Sequence, residues 1–189
     1  RLKRMGPVRW TLLVAALAAA GLFAGSQIFR VQIAEAVFER AVKKNVGRNT
    51  AASLGDGLHV YVCGAGSPFP DPLRGGPCLA VVAGDEHVVI DAGSGGVRTL
   101  TRMGYPVGKI DAVLLTHLHS DHMDGLGELL MQAWVNGGRK VPMPVHGPSG
   151  VEEVVNGFNA AYRIDSTYRT GHHGPEIAPP QGRGGAPIP

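Results

Sequence analysis

The pattern of apolar and polar positions changes character along the chain, and each change predicts a different element. From Trp10 to Phe29 twenty residues pass without a charge, about the length of helix that crosses a ~30 Å hydrocarbon core. Over residues 31–47 the period becomes helical, with Val31, Ala34, Val37, Phe38, Ala41, Val42 and Val46 on one stripe and Gly47 as a natural stop. From Leu58 the period falls to two. Three strands follow, over 58–63, 78–83 and 86–91, separated by a long Gly/Pro loop (64–77) and a turn at Gly84-Asp85. A short helix is expected over 97–103. The nearly continuous apolar run 110–116 then reads as a strand buried on both faces. Beyond it the pattern predicts a helix over 125–136, with Leu126, Leu129, Leu130, Ala133 and Trp134 inward. A strand over 141–147 and a helix over 150–162 complete the periodic part. Residues 171–189 are Gly/Pro-rich and aperiodic, and read as a tail or loop.

Strands first and alternating strands and helices afterwards define an α/β (α+β layered) fold. The expected organisation is a basic flank (1–9), an apolar span (10–29), a juxtamembrane helix (30–50), a folded domain (55–170) and the tail (171–189). The formal charge of +3 is unevenly placed. Arg1, Lys3, Arg4 and Arg9 precede the apolar span, while from Val31 onward 13 Lys and Arg face 15 Asp and Glu, a net of −2. The body therefore lacks the global basic signature of a nucleic-acid binder. Positive charge ahead of an apolar span places the N-terminus in the cytoplasm and the body in the periplasm or outside the cell. An uncleaved signal-anchor is the favoured reading, because apolar residues continue past the small residues Ala18, Ala20 and Ala24; a cleaved signal peptide is the alternative. Cys63 would end the first strand and Cys78 begin the second. Antiparallel pairing would bring them together as a disulfide in an exported domain, whereas in the cytosol they would be two small core residues.

The chemistry concentrates in 116-THLHSDHMDG-125, directly after the apolar run. In extended chain, residues two apart point the same way, so His117, His119 and Asp121 can converge on one point while His122 serves a second. Imidazole and carboxylate together suit zinc, and also iron or manganese. Two such half-sites side by side suggest a binuclear centre that activates water for hydrolysis. The Gly-x-Gly at 64–66 is not a dinucleotide fingerprint. It lacks the third glycine, and Pro68 and Pro70 forbid the helix that motif requires. Asp91, ahead of Gly93, reads on residue chemistry alone as a turn cap.

The His-x-His-x-Asp-His pattern resembles the metallo-β-lactamase fold superfamily of metallohydrolases. Together with 64-GAGSPFP-70, 88-VVIDAGSG-95 and 146-HGPSG-150, it looks most like the branch containing ribonuclease Z and arylsulfatase-like and phosphodiesterase-like enzymes. The resemblance runs from about Leu58 to Tyr162. It implies the N-terminal half of an αββα sandwich. It implies that two divalent ions, zinc first, are held by His117 with His119 and by Asp121 with His122, and that Asp91 supports the metal loop. The pattern further calls for a His, a bridging Asp and a final His downstream, so the chain reads as a fragment. His146 is expected to line the site without binding metal, and His172 and His173 to lie in a solvated tail. The resulting expectation is a membrane-tethered exported hydrolase of a small phosphoester, sulfate ester or related ester. The alternatives are a ribonuclease Z-like tRNA 3′-processing endonuclease, a lactonase-type hydrolase, and an inactive membrane-anchored metal-binding module.

Overall fold

The computed structural model describes residues 7–45, 47–69 and 71–189. Residues 1–6 of the basic flank, Val46 of the helical stripe and Pro70 of the loop lie outside the described residues. The chain forms two compact units, Arg1–Val46 and Gly47–Pro189.

The first unit holds two helices, α1 (Pro7–Ile28) and α2 (Arg30–Asn45). Within α1, Trp10–Ile28 is long and apolar enough to cross a membrane, and all of its apolar side chains face solvent. Only Phe29 interrupts the helical run. Its amide still donates to the Gly25 carbonyl (2.9 Å) and its own carbonyl accepts from Ile33 (2.9 Å), so helical hydrogen bonds bridge the interruption. On α2 the stripe residues Val31, Val37 and Phe38 are exposed.

The second unit is built on one six-stranded sheet whose spatial order follows the sequence. Its strands are β1 (Leu58–Gly64), β2 (Cys78–Ala83), β3 (Glu86–Ile90), β4 (Ala112–Leu114), β5 (Met143–His146) and β6 (Gly185–Ile188). The first three are antiparallel, as hairpin-length connections require, and β3 to β6 run parallel through helical crossovers. The helices are α3 (Gly96–Met103), α4 (Ser120–Met123), α5 (Leu126–Gly137), α6 (Val151–Ala161) and α7 (Arg163–His173).

Alternation along the strands decides where the core lies. Cys78, Ala80, Val82, Val89, Val113, Met143 and Val145 are buried, and they pack with Leu100 of α3, Leu126, Leu129, Leu130 and Ala133 of α5, and Val151 and Val155 of α6. On the other face Leu58, Val60, Val62, Leu79, Leu114 and Ile188 remain exposed. The unit is thus one helix-covered sheet with a second apolar face, the α/β half-sandwich expected from the sequence. Cys63 and Cys78 form a disulfide across β1 and β2, each cysteine 2% exposed. Closing a loop of about fifteen residues in this way stabilises the fold by roughly 3 kcal/mol in the chain-entropy account.

Three expectations are corrected. The strand predicted over 110–116 is regular only at Ala112–Leu114, because Ile110 closes a 3-10 turn and the chain leaves the sheet at Thr116. Residues 163–173 form a helix that the pattern did not reveal, supported by Arg169 donating to Asp165 one turn away (2.7 Å). Finally, 171–189 is not a tail. It finishes α7, so His172 and His173 are helical rather than loop residues, makes a 3-10 turn at Pro180–Gly182 and adds β6 to the sheet. Partners from elsewhere in the fold supply what composition withholds. Asn159 donates to the Gly185 carbonyl and accepts from the Gly185 amide (both 2.9 Å), seating the strand beside β5. Pro187 is tolerated because β6 is an edge strand.

One buried polar group links this core to pH. His87 on β3 is 4% exposed, stacks edge-on against Tyr105 (5.5 Å) and lies 3.3 Å from its hydroxyl. Burial lowers the His87 pKa below its ordinary 6.5, outweighing the opposing pull of Asp111, and raises that of Tyr105. Below about pH 6.5 the unfolded chain binds a proton that the folded chain resists, so stability is complete above that pH and falls as pH drops through it. His87→Phe is expected to flatten this acid-side fall in a pH series of thermal melts. An unchanged slope would remove His87 as its source.

Candidate metal centre

The histidine cluster sits where β4 delivers the chain to the end of the sheet. The chain bends at Thr116 just past β4, and Leu115 still donates to the His146 carbonyl (2.8 Å) of β5. Leu118 turns into the core while His117 and His119 turn away from it, as a period of two requires. At Ser120 the backbone coils into the single-turn α4, with Asp124 donating to the Ser120 carbonyl (2.8 Å). This coil breaks the extended-chain grouping. Asp121 lies beside His122, its Oδ2 3.7 Å from His122 Nε2, instead of joining His117 and His119.

Two pairs result. His117 Nε2 faces His119 Nδ1 at 3.1 Å. A zinc ion with Zn–N bonds of 2.0–2.1 Å in tetrahedral geometry sets its ligand nitrogens about 3.3 Å apart, so this spacing suits two ligands of one ion. The Asp121–His122 separation of 3.7 Å is a few tenths of an ångström wider than the roughly 3.3 Å tetrahedral spacing. The pairs adjoin, with the His117 and His122 ring centroids 4.0 Å apart. Among the described residues no set of three or more His, Cys, Asp or Glu side chains forms a complete ligand group. His146 sits at the end of β5, in register with Leu114, and His172 and His173 stack on each other at the end of α7.

Asp91 organises the cluster from beneath. It is 6% exposed and has φ 59°, the sole non-glycine in the left-handed region among the described residues. Aspartate tolerates that conformation better than most residues. The turn it permits lets one carboxylate reach two parts of the motif. Asp91 Oδ1 accepts from the Thr116 amide (2.8 Å), the Thr116 hydroxyl lies 2.9–3.0 Å from both oxygens, and Oδ2 accepts from His122 Nδ1 (2.8 Å). A carboxylate acceptor at Nδ1 fixes the tautomer. In the neutral ring the proton then lies on Nδ1, which leaves the Nε2 lone pair on the side of Asp121. The turn-cap role read from residue chemistry therefore understates Asp91, whose donors Thr116 and His122 lie 25 and 31 residues along the chain and not in its own turn.

Close backbone approach completes the frame. The Ala92 amide donates to the His122 carbonyl (2.7 Å), and Gly125 donates back to Ala92 (2.8 Å). A Cβ on Gly93 would overlap the backbones of both Gly76 and Asp121, so only glycine lets the loop 64–77, the turn after β3 and α4 meet. Between them opens a cleft of about 420 Å³, bordered by Ser67, Phe69, Arg74, Ser94 and Asp121. Loop 64–77 was legible in sequence as a Gly/Pro segment. Its place beside Asp121 was not, because that depends on the Gly76 amide donating to the Ser94 carbonyl (3.1 Å).

Residues 58–150 match the family model described as Anti-Pycsar protein Apyc1. Ribonuclease Z of Mycobacterium bovis is 40% identical over 125 residues, covering 65% of this chain and 45% of the relative. The chain therefore spans less than half the length of that curated relative. Among solved structures, human tRNase Z, short form, is 27% identical with a TM-score of 0.49, covering 56% of this chain and 40% of its own. A long-form RNase Z from yeast is 21% identical with a TM-score of 0.50, covering 59% and 17% respectively. With 40% identity to a ribonuclease Z over 125 residues and a family match that runs through the histidine motif, this chain is similar to the ribonuclease Z-like branch of the metallo-β-lactamase fold.

Proposed function

We propose that the protein is a metal-dependent hydrolase of a phosphoester, sulfate ester or related ester, tethered to a membrane by Trp10–Ile28 with its folded unit exported. The observation that carries the reading is the Asp91–His122 hydrogen bond beside Asp121. A histidine serving only the core has no need of a buried carboxylate that leaves its other nitrogen free toward a second acid. His117 with His119 would hold one ion and Asp121 with His122 another. The neutral-imidazole and carboxylate donors fit zinc, and also iron or manganese. Divalent ions bound there supply Lewis acidity and an activated water near neutral pH.

The chain's own residues do the rest. Asp91 and Thr116 hold the motif at the sheet end, and Asp91 keeps His122 in the tautomer with Nε2 available. The cleft offers an ester group polar contacts from Ser67, Arg74 and Ser94 beside the carboxylates of Asp71, Asp121 and Asp124, and Phe69 gives its apolar part a surface at the rim. Export is supported by the exposed apolar helix and by the disulfide, which suits an oxidising compartment.

A second reading, tRNA 3′ processing, is favoured by the 40% identity to a ribonuclease Z. The body's net −2 from Val31 onward speaks against a highly charged RNA substrate. One experiment separates the readings. The intact protein is assayed for bound metal and for turnover of bis(p-nitrophenyl) phosphate, p-nitrophenyl sulfate, a lactone and a precursor tRNA. Two equivalents of metal with turnover of a small ester are expected. Preferential cleavage of the precursor tRNA would transfer the assignment to the second reading. At most one weakly held ion and no turnover would leave a metal-binding module and end the enzyme proposal.

A further inference from the structure

A second cavity, of about 320 Å³, lies on the helical side of the sheet, and none of Asp91, His117, His119, Asp121 or His122 lines it. Its walls come from α5, α6 and α7 and from the turn leading into β6. Leu130, Trp134, Phe158 and Tyr162 make the body of the cavity apolar and aromatic. Gly127 forms part of the wall, and any Cβ there would collide with the rings of Tyr162 and Phe158, so the glycine is what lets both rings close on α5.

The polar groups within the walls are already satisfied. Trp134 Nε1 donates to the Pro179 carbonyl (2.8 Å), and the Ser166 hydroxyl donates to Tyr162 (2.8 Å). Asn159 uses its amide on Gly185. What remains uncommitted is the pair of guanidiniums of Arg163 and Arg183. Both border the cavity and are exposed, no Asp or Glu shares its lining, and neither arginine forms an ion pair among the described residues. Elsewhere on the same unit, the exposed Arg98 pairs with Glu128 and the half-buried Arg169 with Asp165.

An apolar chamber with two unpaired cations at its edge is complementary to an apolar body carrying one anionic end. We propose that this cavity binds a small amphipathic anion, an aryl or short acyl carboxylate, with its apolar part against Trp134, Phe158 and Tyr162 and its carboxylate between Arg163 and Arg183. Arginine suits the head group because its planar fork meets a carboxylate with two parallel hydrogen bonds. The volume lies at the small end of ligand pockets, which run from about 300 to 1,000 Å³, and so favours ligands of roughly a dozen heavy atoms. The inference is independent of the proposed hydrolase activity, since it shares no residue with the metal centre.

The chain contains two tryptophans, Trp10 and Trp134. A Trp10→Phe protein therefore reports on the cavity through Trp134 alone. Titration with 4-phenylbutyrate, followed by calorimetry and by tryptophan emission, is expected to show saturable binding with a change in Trp134 fluorescence. The affinity should exceed that for 4-phenylbutanol at least tenfold. Arg163→Ala combined with Arg183→Ala should abolish that preference while leaving the weak binding of the alcohol. Both side chains are exposed, so the fold should persist, and circular dichroism checks this. No saturable binding, binding without a Trp134 signal, equal affinity for acid and alcohol, or a preference that survives the double substitution would each overturn the proposal.

Discussion

His119→Ala is expected to lower zinc affinity at least a hundredfold and turnover of a small ester by about a thousandfold. The reasoning begins with what His119 does not do. Its side chain is exposed and contributes nothing to the core, so truncation should change stability by no more than about 0.5 kcal/mol. Its Nδ1 nevertheless faces His117 Nε2 at 3.1 Å, and removing it leaves His117 as a lone donor. Groups that merely orient metal ligands are worth about 10–100-fold in affinity, and a ligand itself should exceed that. Loss of about 4 kcal/mol of transition-state stabilisation corresponds to about a thousandfold in rate. Metal analysis and initial rates on the intact protein check the pair of effects, with thermal melts as the control. A variant that retains its metal and its rate would remove His119 from the centre.

Asp91 should give the largest effect on folding, and the two obvious substitutions should separate its roles. Asp91→Ala removes the acceptor for the Thr116 amide and for His122 Nδ1, and places an ordinary side chain at φ 59°. Lost charge-assisted hydrogen bonds and the left-handed backbone together cost about 3–5 kcal/mol, which corresponds to a Tm lower by about 10 °C. Asp91→Asn keeps the backbone tolerance and the shape, and its cost should be nearer 1–3 kcal/mol. The amide can no longer hold the His122 tautomer as the carboxylate does, so metal affinity should still fall about 10–100-fold. An Asn variant with full metal affinity would show that Asp91 only braces the turn. An Ala variant with an unchanged Tm would show that it does not brace it at all.

Periodicity alone located most of the helices and strands of the second unit, and the inward residues of α5 other than Gly127 were identified by their 3.6 spacing. That is expected, since each apolar stripe has to be buried by whatever sheet it meets. The resemblance of THLHSDHMDG to a metal motif identified the chemistry, and the alternation of 117 and 119 placed that pair on one side. Reading two strands across a Gly/Pro loop placed Cys63 and Cys78 near each other but left a disulfide and two core cysteines both open, and the folded strands decide for the disulfide. Failures came where the signal was not local. Residues 185–188 carry no strand propensity, yet they form β6 because Asn159 and β5 satisfy their backbone. Asp121 was grouped by extended-chain logic, and one turn of helix at Ser120–Met123 moved it to His122.

The sequence by itself determined the α/β class, the apolar N-terminal helix, the donor residues and their order in the chain. These are consequences of spacing and side-chain chemistry, which neighbours in sequence carry between them. Tertiary structure alone decided which donors stand together, that Asp91 sets the tautomer of His122, that loop 64–77 borders the cleft, and that Arg163 and Arg183 border one cavity. Each of these depends on groups far apart in sequence meeting at hydrogen-bond or van der Waals distance. Such meetings are fixed by how buried faces and glycine-permitted close approaches fit in three dimensions, which no local pattern encodes.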